Sequence, residues 1–266
     1  MDVDVVVCAK NRARSLNEVL TQIVSYIPFT NLIIVYGTSV DKTKDTALKY
    51  TEKVFWDEDK GLGAARNLGV RKASSEIVAM IDSDIILTKG WYQKLVRNFE
   101  DPKVAAVMGN CILGYGCSPL QKLWEYKHSY LQEDWGCNNV LLRRDIVIKI
   151  GNFNETIKGA GEDYDLFLRL KAAGYKWIWD KEVTVYHPSN MLEHLKHCVW
   201  WAEGMASLSK EQPISPLKLM IKIFTAIKDG LTYIRFHPTL CLYVPLADTL
   251  WQLVDFKNRR TSARNS

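Results

Sequence analysis

VAMIDSDIIL (Val78–Leu87) decides the fold. Its apolar run is unbroken until Asp82-Ser83-Asp84 and resumes as Ile85-Ile86-Leu87. An apolar run without alternation predicts a strand covered on both faces, here Glu76 to Ile81. VDVVVC (Val3–Cys8) has the same character. NLIIVY (Asn31–Tyr36) and a short run at Val54 to Trp56 add two more strands. Helices are expected between them: from a capping box at Ser15-Leu16-Asn17-Glu18 to Ser25, near Thr43 to Thr51, and over Gly61 to Ala73. Strand and helix alternate with short connections, which predicts an α/β fold, a Rossmann-like and mostly parallel sheet with flanking helices. Ligands of such sheets sit beyond the carboxyl ends of the strands. Asp82, Asp84, Asn11 and the loop after Tyr36 fall at that edge.

Outward from this frame the pattern changes twice. From about Val104 to His187 short strands, glycines and helices mix, with strands expected at Asn138 to Leu142, Lys176 to Trp179 and Val183 to Tyr186. A helix is expected over Glu162 to Ala173, with Gly174 as its C-cap. From Ser189 onward the pattern is helical, so residues 1–188 are expected to form an α/β domain and 189–266 a C-terminal helical extension. In LKLMIKIFTAIKDGL (Leu217–Leu231), Lys218 and Lys222 mark a polar stripe beside a wide apolar face. Leu240 to Val254 is apolar but interrupted by Pro245 and Asp248. No stretch reaches the ~20 apolar residues that span a bilayer.

The 266 residues carry a net charge of +5, with 47% hydrophobic and 24% charged residues, ordinary for a globular core. Ten basic and six acidic residues lie from Ser189 to Ser266, so most of the excess charge is at the end of the chain. The near-neutral front argues against nucleic acid as its partner. Six scattered cysteines without a Cys-x-x-Cys pair point to reduced thiols in a cytoplasmic protein, with Cys111 and Cys117 close enough in sequence to meet across a loop. The opening MDVDVVVCAKNR, with two acids before a short apolar run, is unlike a secretory signal.

Asp82 and Asp84 repel one another unless a cation lies between them. A hard divalent cation prefers oxygen ligands and shares them with substrate phosphates. An isolated Asp-x-Asp is more often a solvated turn, so its neighbours matter. DKGLGAARNLGVRKA (Asp59–Ala73) puts Gly61 and Gly63 at a loop-to-helix junction, where amides and the helix dipole can meet a nucleotide, with Arg66 one turn in. The plain alternative is a glycine-rich turn with Arg66 on the surface. GAGEDYDLFLRL (Gly159–Leu170) crowds Glu162, Asp163 and Asp165 at a helix start. They cap the helix, or one of them faces a cleft as a general base. His187 closes a strand in VTVYHP, as a structural histidine or as a manganese ligand beside Asp84.

In order and spacing, VVVCAKNR, IIVYGTSVDKT, GLGAARNLG, EIVAMIDSDI, NNVLLRRD, GNFNE, GEDYDLFLRLKAAGY and VYHP resemble the family-2 glycosyltransferases of GT-A fold over roughly the first 190 residues. The resemblance implies transfer of a sugar, with inversion, from a nucleoside-diphosphate sugar (UDP- or GDP-linked) to a glycan or lipid-linked acceptor. It implies Mn2+ or Mg2+ held by Asp84, with Asp82 near the ribose and metal and His187 as a further ligand. Asp163 is implied as the base, with Glu162 beside it. Asn11, Arg66 and the Gly37 loop are implied at the nucleotide, and Asn138 and Asn139 near the sugar. One departure stands out: Tyr36 and Gly37 occupy positions where the family usually has two acids, one reading the base. Tyr36 stacks on the base or belongs to the core.

Two other classes fit parts of the pattern. A nucleotidyltransferase also joins an α/β sheet to metal-binding carboxylates, but VVCAKNRARS lacks the glycine-rich loop such enzymes carry early. A non-enzymatic nucleotide-sugar binder would lack a usable base, against which Asp163 argues. In this family the tail often contacts the acceptor or the membrane. Lys218, Lys222, Lys228 and Arg235, with Trp200, Trp201 and Trp251, suit peripheral contact with the inner face of an anionic bilayer, or simple packing on the catalytic domain.

Overall fold

The structure, a computed structural model, describes residues 1–114, 118–129, 131–157, 159–208, 215–233 and 238–264. In chain order the elements are β1 (Val3–Ala9), α1 (Ala13–Tyr26), β2 (Asn31–Tyr36), α2 (Thr43–Leu48), β3 (Val54–Trp56), α3 (Leu62–Lys72) and β4 (Ile77–Asp82). Then come α4 (Trp91–Leu95), running into a 3-10 turn, β5 (Val104–Leu113), α5 (Pro119–Ser129), β6 (Asn139–Arg143), α6 (Arg144–Lys149), α7 (Glu162–Ala172) and β7 (Lys176–His187). Three helices follow: α8 (Met191–Leu208), α9 (Pro216–Thr232) and α10 (Leu240–Arg264).

The chain divides into two compact units. One holds Met1–Ile112, Gln132–Thr156 and Glu162–Pro188; the other holds Leu113–Leu131, Ile157–Gly161 and Ser189–Ser266. Two segments ahead of residue 188 thus group with the C-terminal helices, an arrangement no linear boundary expresses.

The first unit is built on a seven-stranded sheet of order β3-β2-β1-β4-β6-β5-β7. β1 pairs in parallel with β2 and β4, and β2 with β3, while β6 runs antiparallel to β4 and β5. The sheet buries both faces, as the unbroken apolar runs demand. Val3, Val5 and Val7 pack with Leu16, Val19, Leu20 and Ile23 of α1 on one side. Val6, Ile33 and Met80 pack with Ala65 and Val70 of α3 and Leu166 and Leu170 of α7 on the other. The approach of α3 to β1 is set by Gly69: a Cβ there would lie 2.3 Å from Val6 Cγ1. In register, Ala9 sits opposite Tyr36, Tyr36 opposite Trp56 and Cys8 opposite Asp82. The loops after β1, β2, β3 and β4 therefore emerge along one edge.

Several local expectations are corrected. The capping box does not form: α1 starts at Ala13 without a side-chain cap of its own. Its first amides are met from a distant loop, Arg12 N donating to Thr43 Oγ1 (2.8 Å) and Ala13 N to Asp41 Oδ2 (2.9 Å). The two strands expected near 176–186 are one twelve-residue strand, β7, whose charged middle (Lys181, Glu182) is exposed. Pro245 lies inside α10 and does not end it.

In the second unit Leu113, Leu120, Leu123, Cys198, Leu240, Tyr243 and Val244 form a core that Trp124 and Trp251 join. Trp201 stacks edge-on with His194 and tilts against His197, so Trp201 and Trp251 pack internally. Arg235 and Cys117 lie outside the described residues; Cys8, Cys137 and Cys198 are free thiols. Among the described residues, no helix is long and apolar enough to cross a membrane.

Candidate active site

The acidic tip of β4 is anchored on both sides. Asp82 N donates to the carbonyl of Asn138 (2.9 Å). Beyond the turn, Ile86 and Tyr186 exchange backbone hydrogen bonds (2.7 and 3.1 Å), tying the tip to the end of β7. That bridge brings His187 to Asp84, with Nε2 3.2 Å from Oδ1, while Arg12 Nε lies 3.2 Å from Oδ2. Burial works to lower the His187 pKa, but the hydrogen bond to Asp84 and the charges of Asp84 and Asp82 hold it above the ordinary histidine value. Burial raises Asp82, with Arg66 opposing and Asp84 adding to the rise.

Arg66 is no surface charge. It is 4% exposed and joins two carboxylates, Asp82 Oδ1 at 3.2 Å from Nη2 and Glu162 Oε1 on Nη1. α3 presents it because Gly63, whose Cβ would meet the Asn154 carbonyl at 2.9 Å, lets the first turn pass close to the 154 loop. Glu162 is 1% exposed, and its Oε2 has no hydrogen-bond partner among the described residues. Burial pushes its carboxyl up to about 7 against the pull of Arg66. Asp163, the next residue, is half-buried at the start of α7, its Oδ1 accepting from Tyr164 N at 2.8 Å. Glu162 thus faces inward to Arg66, and Asp163 keeps access to solvent.

At the other end of the strand edge, Asn11 and Gly37 join Lys10 and Asp59, two residues that the sequence reading missed. Asp59 Oδ1 accepts from Lys10 Nζ (2.8 Å) and Thr38 N (3.1 Å), bonds that hold its carboxyl down at about 2. Glu58 and Asp59 have φ of 56° and 53°, a left-handed turn that carries Asp59 back toward the loop after β2. Gly37 fits there because a Cβ would meet Lys10 Cδ at 2.9 Å. Asn11, itself at φ 53°, accepts from Val40 N through Oδ1 (2.8 Å). Tyr36 is half-buried with Lys44 Nζ 5.5 Å from its ring centre. The available signal was the D-x-D-K-G spacing after β3, which has no meaning until the turn places it.

Asn139 does not line the cleft. It is fully buried, its Oδ1 accepting from Trp91 Nε1 (3.1 Å) and Gly109 N (2.9 Å) and its Nδ2 donating to Gly109 O and Asn138 Oδ1. Asn138 is half-buried and remains near the edge.

Among the described residues no three acidic, histidine or cysteine groups are clustered as a complete metal cage. Asp84 and His187, with Asp82 two residues away, nevertheless supply carboxylate oxygen and imidazole nitrogen side by side. That donor set fits Mn2+ or Mg2+, which complete their shells with substrate phosphates and water.

The sheet thus carries paired acids at the end of β4 and a histidine at the end of β7. The model of the "Glycosyl transferase family 2" matches residues 4–160, and the chain belongs to that family of transferases. It is 27% identical over 259 residues to a pre-mycofactocin glycosyltransferase of Mycobacterium tuberculosis, covering 86% of this chain and 54% of the relative. It is 28% identical over 196 residues to the glycosyltransferase AglE of Haloferax volcanii, covering 68% of this chain and 64% of the relative. The chain therefore spans about half of the first relative's length and under two thirds of the second's. Among solved structures, mannosyltransferase PcManGT of Pyrobaculum calidifontis, in complex with GDP-Man and Mn2+, matches with a TM-score of 0.63 at 20% identity, covering 99% of this chain and 75% of that one. Glucosyl-3-phosphoglycerate synthase of M. tuberculosis, with Mg2+ and UDP, matches with a TM-score of 0.59 at 17% identity, covering 78% of each. These likenesses establish the GT-A fold.

Proposed function

We propose that this chain transfers a sugar from a UDP- or GDP-sugar to the hydroxyl of a glycan or lipid-linked acceptor, with inversion at the anomeric carbon. The observation that carries the proposal is the Asp84–His187 pair beside Asp82, at the strand edge of a family-2 chain. Mn2+ or Mg2+ bound there would offset charge on the departing diphosphate. The relatives crystallised with Mg2+ or Mn2+ and a nucleotide support that choice of cation. Asp82, tied to Arg66, stands next to the ribose and cation. Lys10, Asn11, the Gly37 loop and Asp59 receive the nucleoside, and Asn138 borders the sugar.

Asp163 takes the acceptor proton. Its half-exposed position at the start of α7 suits a base that must meet an incoming hydroxyl. Glu162 serves it indirectly, holding the first turn of α7 to α3 through Arg66. Attack from the side opposite the diphosphate inverts the anomeric carbon, and a product of retained configuration in an NMR time course would refute this. The test of the site compares nucleotide-sugar hydrolysis and transfer with manganese in wild type, Asp84→Ala and Asp163→Asn. Asp84→Ala should weaken metal-dependent donor binding; Asp163→Asn should keep binding and lose transfer. Normal transfer by both variants would overturn the assignment.

For a lipid-linked acceptor we place the protein at the cytoplasmic face of a membrane. Support comes from α9, where Leu217, Met220, Ile221, Phe224, Ile227 and Leu231 are 48–67% exposed and recur at helical spacing. Lys218, Lys222 and Lys228, all exposed, give that helix the charge that anionic headgroups attract. Co-flotation with phosphatidylglycerol vesicles at low salt, lost in Ile221→Glu/Phe224→Glu, is expected. Flotation unchanged by those substitutions would remove the role of α9.

A further inference from the structure

We propose that Trp135 and Tyr164 form a stacking platform for a pyranose ring of the acceptor. This deepens the transferase reading and rests on it, because the platform is defined by its position beside Asp163. Trp135 stands in the irregular segment that leads into β6 and remains 36% exposed. The ring is not loose. Its centre lies 4.7 Å from the Tyr164 ring at 44° and 5.6 Å from Phe167 at 29°. Phe167 is 4% exposed and meets Trp177 edge-on at 5.7 Å, so the exposed indole rests on a buried aromatic base.

Two ion contacts pin the same surface. Lys171 Nζ lies 5.0 Å from the Phe167 ring centre and 2.7 Å from Glu133 of the Trp135 segment. Trp135 N donates to Asp134 Oδ1 at 2.8 Å. A rigid aromatic face loses little entropy when a ligand covers it.

Location decides the occupant. Tyr164 directly follows Asp163 at the start of α7, and Trp135 packs on its ring. The nucleoside cluster of Lys10, Gly37 and Asp59 lies at the ends of β1, β2 and β3, whereas Trp135 enters β6, on the opposite side of β4. The exposed indole, flanked by carboxylates, suits a pyranose: axial C–H groups meet the ring and equatorial hydroxyls donate to the acids. An aromatic surface of this kind gives an acyclic polyol or a small phosphorylated acid little to grip.

The experiment uses octyl glucoside, mannoside, galactoside and N-acetylglucosaminide as probes, with glycerol as the ring-free control. Saturation-transfer NMR measures their binding to wild type, Trp135→Ala and Trp135→Phe in the presence of UDP or GDP and manganese. The expected result is binding of at least one glycoside, about five- to tenfold weaker in Trp135→Ala and largely kept in Trp135→Phe, with nucleotide affinity intact in both. Equal glycoside affinity in wild type and Trp135→Ala, or no glycoside binding to wild type, would overturn the platform. Loss of nucleotide affinity in both variants would also overturn it, showing the indole to be a packing element. Absence of nucleotide-sugar hydrolysis by wild type, with Trp135-dependent glycoside binding retained, would strike the transferase reading and leave the platform standing.

Discussion

Replacing Arg66 with methionine keeps much of the side-chain volume and removes the guanidinium that Glu162 and Asp82 share. Coulomb attraction across the 3.2 Å contact to Asp82 is about 5 kcal/mol at an effective dielectric of about 20. Removing one partner of a buried pair costs about 3–5 kcal/mol net, since the remaining charge stays dry. At 1% exposure Glu162 cannot turn to water, so the upper part of that range applies. The loss depends on pH, and its sign follows from the raised Glu162 pKa. The folded state binds a proton on Glu162 up to about 7, whereas the unfolded chain releases it near 4.5. Between those values the folded state holds more protons, so Glu162 costs stability as pH rises through the window and the cost is relieved as pH falls. Without Arg66 the carboxyl rises further and the dependence extends to higher pH. Urea unfolding of Arg66→Met should show the largest loss at pH 8 and a smaller one at pH 5. Adding Glu162→Gln should recover part of it, a coupling of roughly 2 kcal/mol. A loss below about 1 kcal/mol at pH 8, or strictly additive single effects, would refute the reasoning.

Two further outcomes test the frame that holds the site. Asp4 is buried at the foot of β1 and accepts from Ser74 N (2.6 Å), Ser75 N (3.0 Å), Ser75 Oγ (2.8 Å) and Asn31 Nδ2 (2.7 Å). Burial alone would raise its pKa, but these hydrogen bonds outweigh it and leave the carboxyl below its ordinary value of 3.8. Its stabilisation is therefore present above that value and fades as pH falls through it; Asp4→Asn should cost about 2 kcal/mol at pH 7 and progressively less below about pH 4. Gly69→Ala should destabilise by about 1–3 kcal/mol in urea melts despite alanine's better helix propensity, because α3 must lift from Val6. Val6→Ala should relieve that substitution, and additive effects would contradict the contact.

The parallel half of the sheet was legible because both-face burial leaves a mark in composition: β1, β2 and β4 are apolar nearly throughout, Asp4 being the interruption within β1. β7 was misread as two strands since Asp180-Lys181-Glu182 interrupts its apolar pattern, yet these residues are half-buried or exposed along one unbroken strand. The start of α1 was misassigned because its cap comes from Asp41 and Thr43, about 30 positions away, beyond the reach of a local motif. At the site, residue types with unusual cost stood out: adjacent acids, a histidine before proline, an acid-rich helix start. Their partners did not. Arg66 was recognisable as a candidate, but its bond to Glu162 spans 96 positions. Lys10 and Asp59 carry no signature until a left-handed turn joins them.

Anomalous scattering at the manganese edge, from crystals holding UDP or GDP with Mn2+, examines the heart of the assignment. The expected result is one manganese peak in ligand contact with Asp84 and His187 and with the diphosphate, and its loss in Asp84→Ala. A nucleotide bound with its diphosphate away from β4, or manganese seated elsewhere on the chain, would contradict it.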